Sequence, residues 1–511
     1  MHAQIEPNFI MNVFFIMIAF PIISGMILLH PKIPLSFLQI HLCLLVPGPI
    51  IALLAIFYLH ESIVIGPWRL DSLSWVLASF VLTISLILQK FSVRYLFGDR
   101  SYRKYFILFT LTTVSNALAW FSDDLRLLLF FFGATLFGLF LLIGLKREWQ
   151  VAKKAALSSG RMFLISWLFL LAAVIWLSEK TGEWHLSMAL SETEILHSWE
   201  KTGMNLLLVT AVLIPAAQWP FGKWLLNSVV APTPVSAIMH AGIVNSGGML
   251  LTRFAPLVQE NLSQTVLIVI SSFSILIGTG IMLVQVDYKR QLVGSTIAQM
   301  GFMLIQCGLG AYAAAITHAV LHGLFKATLF LQSGSVFDQN KDKIKLATGH
   351  HSPVLIFIGI ILGLGSGIAI WFSSPNHSYQ LVSAIILGWS VAFSWVQLVA
   401  RSNEQMGRFV GGLLFIGTGA VYLIVQGGFH EILHEVHESV AGTSSFIAGV
   451  FVLLILTLGS LFSAWLMSHR SSPLYAKVYF WLLRLGEPDQ ELIESHPKYL
   501  AQIPLQGGSF R

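Results

Sequence analysis

Three ionisable side chains, His318, His322 and Lys326, recur at steps of four in the run ITHAVLHGLFKATLFL from Ile316 to Leu331. A step of four residues turns an α-helix by only about 40°, so one stripe of an otherwise apolar helix would carry two imidazoles and an ammonium. Each group is costly in hydrocarbon, and intramembrane rows of this kind face a bundle interior or a hydrated path. Imidazole titrates at about pH 6.5 in water, so two rings one helical turn apart can pass a proton through a water. A lysine joins such a relay only by giving up its own proton. The chemistry expected of the stripe is therefore a proton or ion relay. The competing reading is that the histidines only bond neighbouring helices, but packing explains three ionisable groups in register poorly.

Other polar groups within apolar runs are candidates for the same path. Gln218 and Lys223 stand beside Pro215, Trp219 and Pro220, while Asn245, Thr296 and Gln299 lie in later runs. Single polar groups of this type serve either a water path or interhelical hydrogen bonds. His430, Glu431 and His434 match the HExxH zinc pattern, but Glu435, His437 and Glu438 continue the stripe, which favours a solvated amphipathic face over a metal site. Asp71, with Ser72 and Ser74, suits a helix cap, and Asp123 and Asp124 suit the positive end of a helix. No Gly-rich phosphate loop occurs in a strand–turn–helix context, so no nucleotide site is expected.

Positioning the stripe takes membrane spans, and the composition supplies them. Of 511 residues, 56% are hydrophobic and 11% charged, against about 25% charged in soluble domains. The reading is an all-α polytopic membrane protein with about fifteen spans (roughly 13 to 16), each long enough for a hydrocarbon layer of about 30 Å. They are expected at 9–29, 36–59, 72–90, 105–121, 125–145, 161–178, 204–230, 233–254, 264–286, 292–310, 312–336, 352–373, 380–400, 408–426 and 444–467. The first is kept as a span rather than a cleaved signal. Residues 1–470 form the membrane domain and 471–511 a short polar tail. The net charge of +6 is spread over short loops, which does not imply nucleic acid, and Cys43 and Cys307 fall in apolar runs, which excludes a disulfide framework or thiolate cluster. Span seven is interrupted by Pro215 and Pro220, and span twelve more softly by Gly363, Gly365 and Gly367. Interrupted spans five apart are what inverted repeats around a midplane site would produce; for span twelve alone, glycines that merely permit close helix packing are the slightly favoured alternative.

Alternate loops are strongly basic, and the Lys/Arg excess marks the cytoplasmic side. Lys32, Arg94, Arg100, Arg103, Lys146, Lys153, Lys289, Lys341 and Arg401 fall on one side, whereas the largest loop of the other side, 178–203, is rich in glutamate. This places the N-terminus outside and the tail, with Arg470, Lys477 and Arg484, in the cytoplasm.

The run from Gln218-Trp219-Pro220-Phe221 through Ala231-Pro232-Thr233-Pro234 to His240-Ala241, then Asp287-Tyr288-Lys289-Arg290 and the His318/His322/Lys326 helix, resembles the antiporter-like membrane subunits of respiratory complex I and of Mrp antiporters over about residues 65–336. The resemblance implies antiporter-like inverted repeats with a broken seventh helix, a core at about 65–400, and a proton path along the membrane centre through His240, His318, His322 and Lys326. Ion-pumping members carry a glutamate in span five and a lysine in span seven, where this chain has Gly133 and Pro215, and spans twelve and thirteen hold no Asp, Glu, Lys or Arg. Tyr95-Leu96-Phe97-Gly98-Asp99 with Phe106, His240 to Asn245 with Gly247-Gly248, and Arg253 to Leu257 resemble the DabB branch, the membrane subunits of energy-coupled inorganic carbon accumulation complexes. That branch implies a bacterial inner-membrane subunit, not itself an enzyme and without a cofactor. It would conduct protons or Na+ to drive vectorial hydration of CO2 to bicarbonate by a cytosolic zinc-binding DabA-type partner that resembles β-carbonic anhydrases. The alternatives are a proton- or cation-translocating subunit of a complex I-like quinone oxidoreductase or Mrp-type antiporter, and a stand-alone channel or scaffold.

The loop charges predict accessibility. A cysteine placed between Lys341 and Lys345 is expected to be labelled by an impermeant maleimide only from the cytoplasm, and one placed in 178–203 only from outside; the reverse pattern overturns the orientation.

Overall fold

The computed structural model describes residues 6–59, 61–146, 148–258, 262–333, 353–373, 378–400, 405–433 and 446–488. Among them, twelve helices are long and apolar enough to cross a membrane. Three further helical segments fall outside that set because of polarity or length. Tyr102–Phe121 carries Arg103, Lys104 and three threonines, Tyr288–Gly308 carries Lys289, Arg290 and three glutamines, and Ser198–Leu213 is cut short by a break. With these three the spans number fifteen, as the hydrophobic runs predict.

Spans one to five are Pro7–Leu28, the pair Phe37–Leu44 and Pro47–Tyr58, Ser72–Tyr95, Tyr102–Phe121 and Leu125–Ile143. A two-stranded hairpin, Ile63–Ile65 with Trp68–Leu70, joins spans two and three. Its turn places Gly66 at a φ of 56°, where a side chain would be strained. Span six, Gln150–Thr181, starts well before its expected bound. Lys153, Lys154 and Arg161 end the hydropathic run but not the helix, since lysine and arginine are good helix formers.

Span seven runs as Ser198–Leu213, breaks, and resumes as Lys223–Asn227. Span eight is also broken: Thr233–Ala241 ends at Gly242, and Ser246–Arg253 follows a single 3-10 turn. Spans nine to fifteen are Leu262–Val284, Tyr288–Gly308, Tyr312–Ser333, Pro353–Ser373, Ser378–Trp395 with a π turn to Ala400, Gln405–Ile432 and Phe446–Ser468. Span twelve is a continuous helix, so the soft interruption is not present and the close-packing reading of its glycines is the one that fits. A Cβ on Gly363 would lie 2.5 Å from the Gly388 carbonyl oxygen, so these glycines let spans twelve and thirteen touch. His430 and Glu431 belong to the last turn of span fourteen, and the HExxH stripe from His434 onward lies outside the described residues. The tail begins with the helix Pro473–Gly486, which packs Leu482 against Gly280 of span nine.

The core is densest among spans one to eleven. Trp75 meets Phe14 and Phe121 edge-on at centroid distances of 5.2 and 4.8 Å, and all three are buried. At the end of the bundle near the hairpin, Asp71 caps span three by accepting from the Ser74 amide at 2.8 Å, and also pairs with the buried Arg253. The Arg253 guanidinium donates further to the Ser74 hydroxyl (2.6 Å) and the Trp120 carbonyl (2.7 Å). Burial works to raise the Asp71 carboxyl, but Arg253 and Arg69 outweigh it and hold the group below the ordinary carboxylate range. One guanidinium thus ties the C-terminal end of span eight to spans three and four. Asp123 holds the 178–203 loop rather than its own helix, accepting from the Ser187 hydroxyl at 2.8 Å, whereas Asp124 caps span five through the Arg126 amide.

Arg253→Ala leaves Asp71 as a buried charge without its main partner, and such a loss costs about 3–5 kcal/mol. Detergent-solubilised Arg253→Ala is expected to melt well below wild type and to be depleted in membranes; a wild-type melting curve overturns the structural role given to the pair.

Candidate functional site

The breaks in spans seven and eight bring the polar residues together. Pro215 lacks an amide proton, and Ala217 takes a φ of 53°, a left-handed conformation that costs a non-glycine residue about 1 kcal/mol. The backbone groups freed there are met by side chains. Trp224 Nε1 donates to the Ile214 carbonyl at 2.7 Å, and the Trp219 amide donates to Ser274 Oγ at 3.0 Å. Gln218 Nε2 donates to the carbonyls of Ala216 (2.7 Å) and of Ile297 in span ten (3.2 Å). In span eight, Asn245 Nδ2 bridges the break to the Ala241 carbonyl at 2.7 Å. Gln218 Oε1 and Asn245 Oδ1 are buried without a protein partner.

His240 is the last polar residue before the span-eight break and is buried. Its Nδ1 lies 3.0 Å from Thr296 Oγ1, and that hydroxyl donates to the Leu292 carbonyl at 2.9 Å. Lys326 Nζ donates to the same carbonyl, also at 2.9 Å. A hydroxyl and one carbonyl of span ten therefore connect the histidine of span eight with the lysine of span eleven. The His240 ring stacks on Phe330, one turn beyond Lys326, with centroids 4.3 Å apart.

The rest of the stripe continues along span eleven. His318 places Nδ1 3.2 Å from Gln306 Oε1 and Nε2 3.0 Å from Gln299 Oε1. The two amides can present oxygen to an imidazolium, or turn to give an N–H to a ring lone pair, so this setting accommodates either protonation state. The His322 ring lies 6.2 Å from the His318 ring, and both its nitrogens are buried without a protein partner. Each unmet polar group of this kind costs about 1–3 kcal/mol, a cost that a protein keeps for a purpose or relieves with water. Gly323 is what allows the approach: a Cβ there would lie 2.3 Å from Phe80 Cζ and 2.8 Å from the Ala241 carbonyl, so span eleven rests on the span-eight break beside His322.

The structure thus brings His240, His318, His322 and Lys326 into one region with Thr296 and Gln299, and sets Gln218 and Asn245 on the helix breaks. It does not bring Lys223 there. Lys223 Nζ donates to the Glu487 carbonyl at 2.8 Å, at the end of the tail helix. Where ion-pumping relatives are implied to carry a glutamate, Gly133 is backed by Trp167, whose Nε1 lies 2.8 Å from the position of a Cβ. Sequence reasoning met Arg253 only as part of a resembling run, without its pairing to Asp71, and passed over the buried His41. The available signal for His41 was a lone imidazole in an apolar span.

A broken-span bundle with a central row of imidazoles and an ammonium defines an ion-translocating membrane subunit, and comparison with known proteins narrows the class. Residues 122–405 match the family model "NADH:quinone oxidoreductase/Mrp antiporter, TM". The chain is 49% identical over 512 residues, covering all of both chains, to a Bacillus anthracis protein named "probable inorganic carbon transporter subunit DabB". It is 51% identical over 506 residues to the protein of the same name from Bacillus subtilis (strain 168), covering 98% of this chain and 99% of that one. In fold it is similar to a chain of the Mrp complex from Dietzia sp. DQ12-45-1b, with a TM-score of 0.62 at 22% identity over 88% of this chain and 55% of that one. A chain of the archaeal membrane-bound sulfane sulfur reductase gives a TM-score of 0.58 at 17% identity, covering 96% and 99%. This protein belongs to the NADH:quinone oxidoreductase/Mrp antiporter membrane family, in its DabB branch.

Gly323→Val is expected to abolish transport-dependent activity while His318, His322 and Lys326 remain intact, because its side chain pushes span eleven off Phe80 and Ala241. Gly323→Val at normal membrane abundance and with wild-type activity overturns the importance of that contact.

Proposed function

We propose that this chain is the membrane subunit of an energy-coupled inorganic carbon accumulation complex, in which protons, or Na+, moving through it drive hydration of CO2 to bicarbonate by a cytosolic partner. The observation that carries the proposal is the full-length identity of about half to proteins named as inorganic carbon transporter subunits. The partner is a zinc-containing DabA-type protein resembling β-carbonic anhydrases, and the zinc chemistry belongs to it. The chain lies in a bacterial inner membrane with its C-terminal tail in the cytoplasm.

The geometry supports protons as the moving ion. The route runs over His318, His322 and Lys326 and turns at Lys326, through the Leu292 carbonyl and Thr296, toward His240. Lys326 meets a carbonyl rather than a carboxylate, so its retention is explained by proton exchange better than by an ion pair. A Lys326 that has passed its proton on toward His240 is a neutral amine, and it becomes an ammonium again by taking one from a protonated His322 by way of a water. Arginine keeps its charge at any accessible pH and cannot complete this cycle.

The test is growth at air levels of CO2 in a host lacking carbonic anhydrase, with the partner co-expressed. Lys326→Ala and Lys326→Arg are both expected to fail at normal membrane abundance. Rescue by Lys326→Ala removes the relay from the mechanism, and rescue by Lys326→Arg alone reduces Lys326 to a fixed charge.

A further inference from the structure

A further buried imidazole lies among spans one to four, away from the row on span eleven. His41 is fully buried. Its Nδ1 is 2.7 Å from Ser24 Oγ, and its Nε2 is 3.0 Å from Gln89 Oε1 and 3.3 Å from Thr110 Oγ1. Phe106 stands edge-on to the ring. No carboxylate, ammonium or guanidinium hydrogen-bonds the ring among the described residues. Three spans thus spend a serine, a glutamine and a threonine on one histidine, more than is needed to hold a neutral ring.

We infer that His41 is a second proton-binding site, one that takes and releases a proton without losing a hydrogen bond. In the neutral ring Nε2–H donates to Gln89 Oε1, while Nδ1 accepts from the Ser24 hydroxyl. When Nδ1 takes a proton, Ser24 turns its own O–H to the Pro21 carbonyl, 3.0 Å away, and accepts from the new N–H. Only that N–H bond forms, and the proton comes from water and returns to water. The supply is near, because Ser24 lies about 6 Å, one helical turn, from the end of span one. There Arg103 donates to the carbonyls of Leu28 and His30 at 3.0 and 2.8 Å and marks the aqueous boundary.

The other side of the ring leads inward. Gln89 Nε2 donates to Ser85 Oγ at 3.1 Å, and Ser85 Oγ lies 2.9 Å from Thr113 Oγ1. Thr113 lines a small cavity of about 10 Å³, together with Thr112, Asn116, Thr135 and the span-eight break at Gly242. Thr112 Oγ1 is buried without a protein partner, and a space of this size is about that of one water. The polar file therefore runs from a proton site near the basic end of the bundle to a cavity at the span-eight break that follows His240. Its use as a station on the ion route rests on the functional reading given above, but the protonation of His41 does not.

The test uses the full chain in bilayers, with 15N-labelled histidine observed by solid-state NMR and the His41 signal assigned by its loss in His41→Gln, or in His41→Asn should the first fail to fold. The expected result is conversion of that ring from the neutral to the imidazolium pattern as the pH falls from about 8 to about 4. A ring that keeps one protonation state over this range overturns the inference and leaves His41 as an interhelical hydrogen-bonding residue. In vesicles containing the chain and its co-purified partner, His41→Gln is expected to lower proton flux at least tenfold at unchanged melting temperature, and equal flux overturns its place on the route. Wild-type vesicles that carry no protons although the ring titrates would refute the functional reading and not the site.

Discussion

A membrane span can be broken only where something other than lipid meets the backbone groups that the break sets free. Spans seven and eight are both broken here, and much of the surrounding architecture follows from that cost. Trp224, Ser274, Gln218 and Asn245 bond the released groups directly. Arg253 anchors the far end of span eight to Asp71, Ser74 and the Trp120 carbonyl, so that its two halves keep a fixed relation to spans three and four. Span eleven must then lie close against the break, and Gly323 removes the side chain that would prevent it.

The same economy explains where polarity is concentrated. Spans three, four, eight, ten and eleven carry hydroxyls, amides and imidazoles whose hydrogen bonds are made to one another or to helix backbone. Spans twelve to fifteen are mostly apolar and exposed, and the glycines of twelve and thirteen serve helix contact. Single atoms are left without a protein partner elsewhere, as at Gln218 Oε1, Asn245 Oδ1 and Thr112 Oγ1, but His322 leaves both of its ring nitrogens buried in this way, which is expensive for an imidazole. Its place between His318 and Lys326 makes water or a moving proton the natural partner.

The departures from the implied pattern of ion-pumping relatives have structural counterparts. Trp167 fills the space beside Gly133, and its indole donates to the Leu129 carbonyl at 2.9 Å. A carboxylate is thus replaced by an aromatic wall and not by another charge. Pro215 stands at the start of the span-seven break, where a lysine would have supplied a charge and the proline instead shapes the backbone. The ionisable groups of the central row are histidines and Lys326, so the proposed proton route leans on imidazole chemistry.

The hydrophobic runs determined the number of spans, because about twenty apolar residues suffice to cross a bilayer whatever their neighbours do. Helical periodicity likewise determined that His318, His322 and Lys326 share a stripe, and the prolines marked the break in span seven. Three things were decided only by tertiary structure. The glycines of span twelve read as a soft break or, slightly more readily, as a contact surface, and the Gly388 carbonyl settled it. Lys223 looked like a member of the path, but its long side chain reaches the end of the tail helix, a partner 264 residues away in sequence. Asp71 read as a cap, which it is, yet its pairing with Arg253 across 182 residues has no local signature. Covalent spacing sets the period of one helix; which face meets which neighbour depends on burial and hydrogen bonding between segments far apart in the chain.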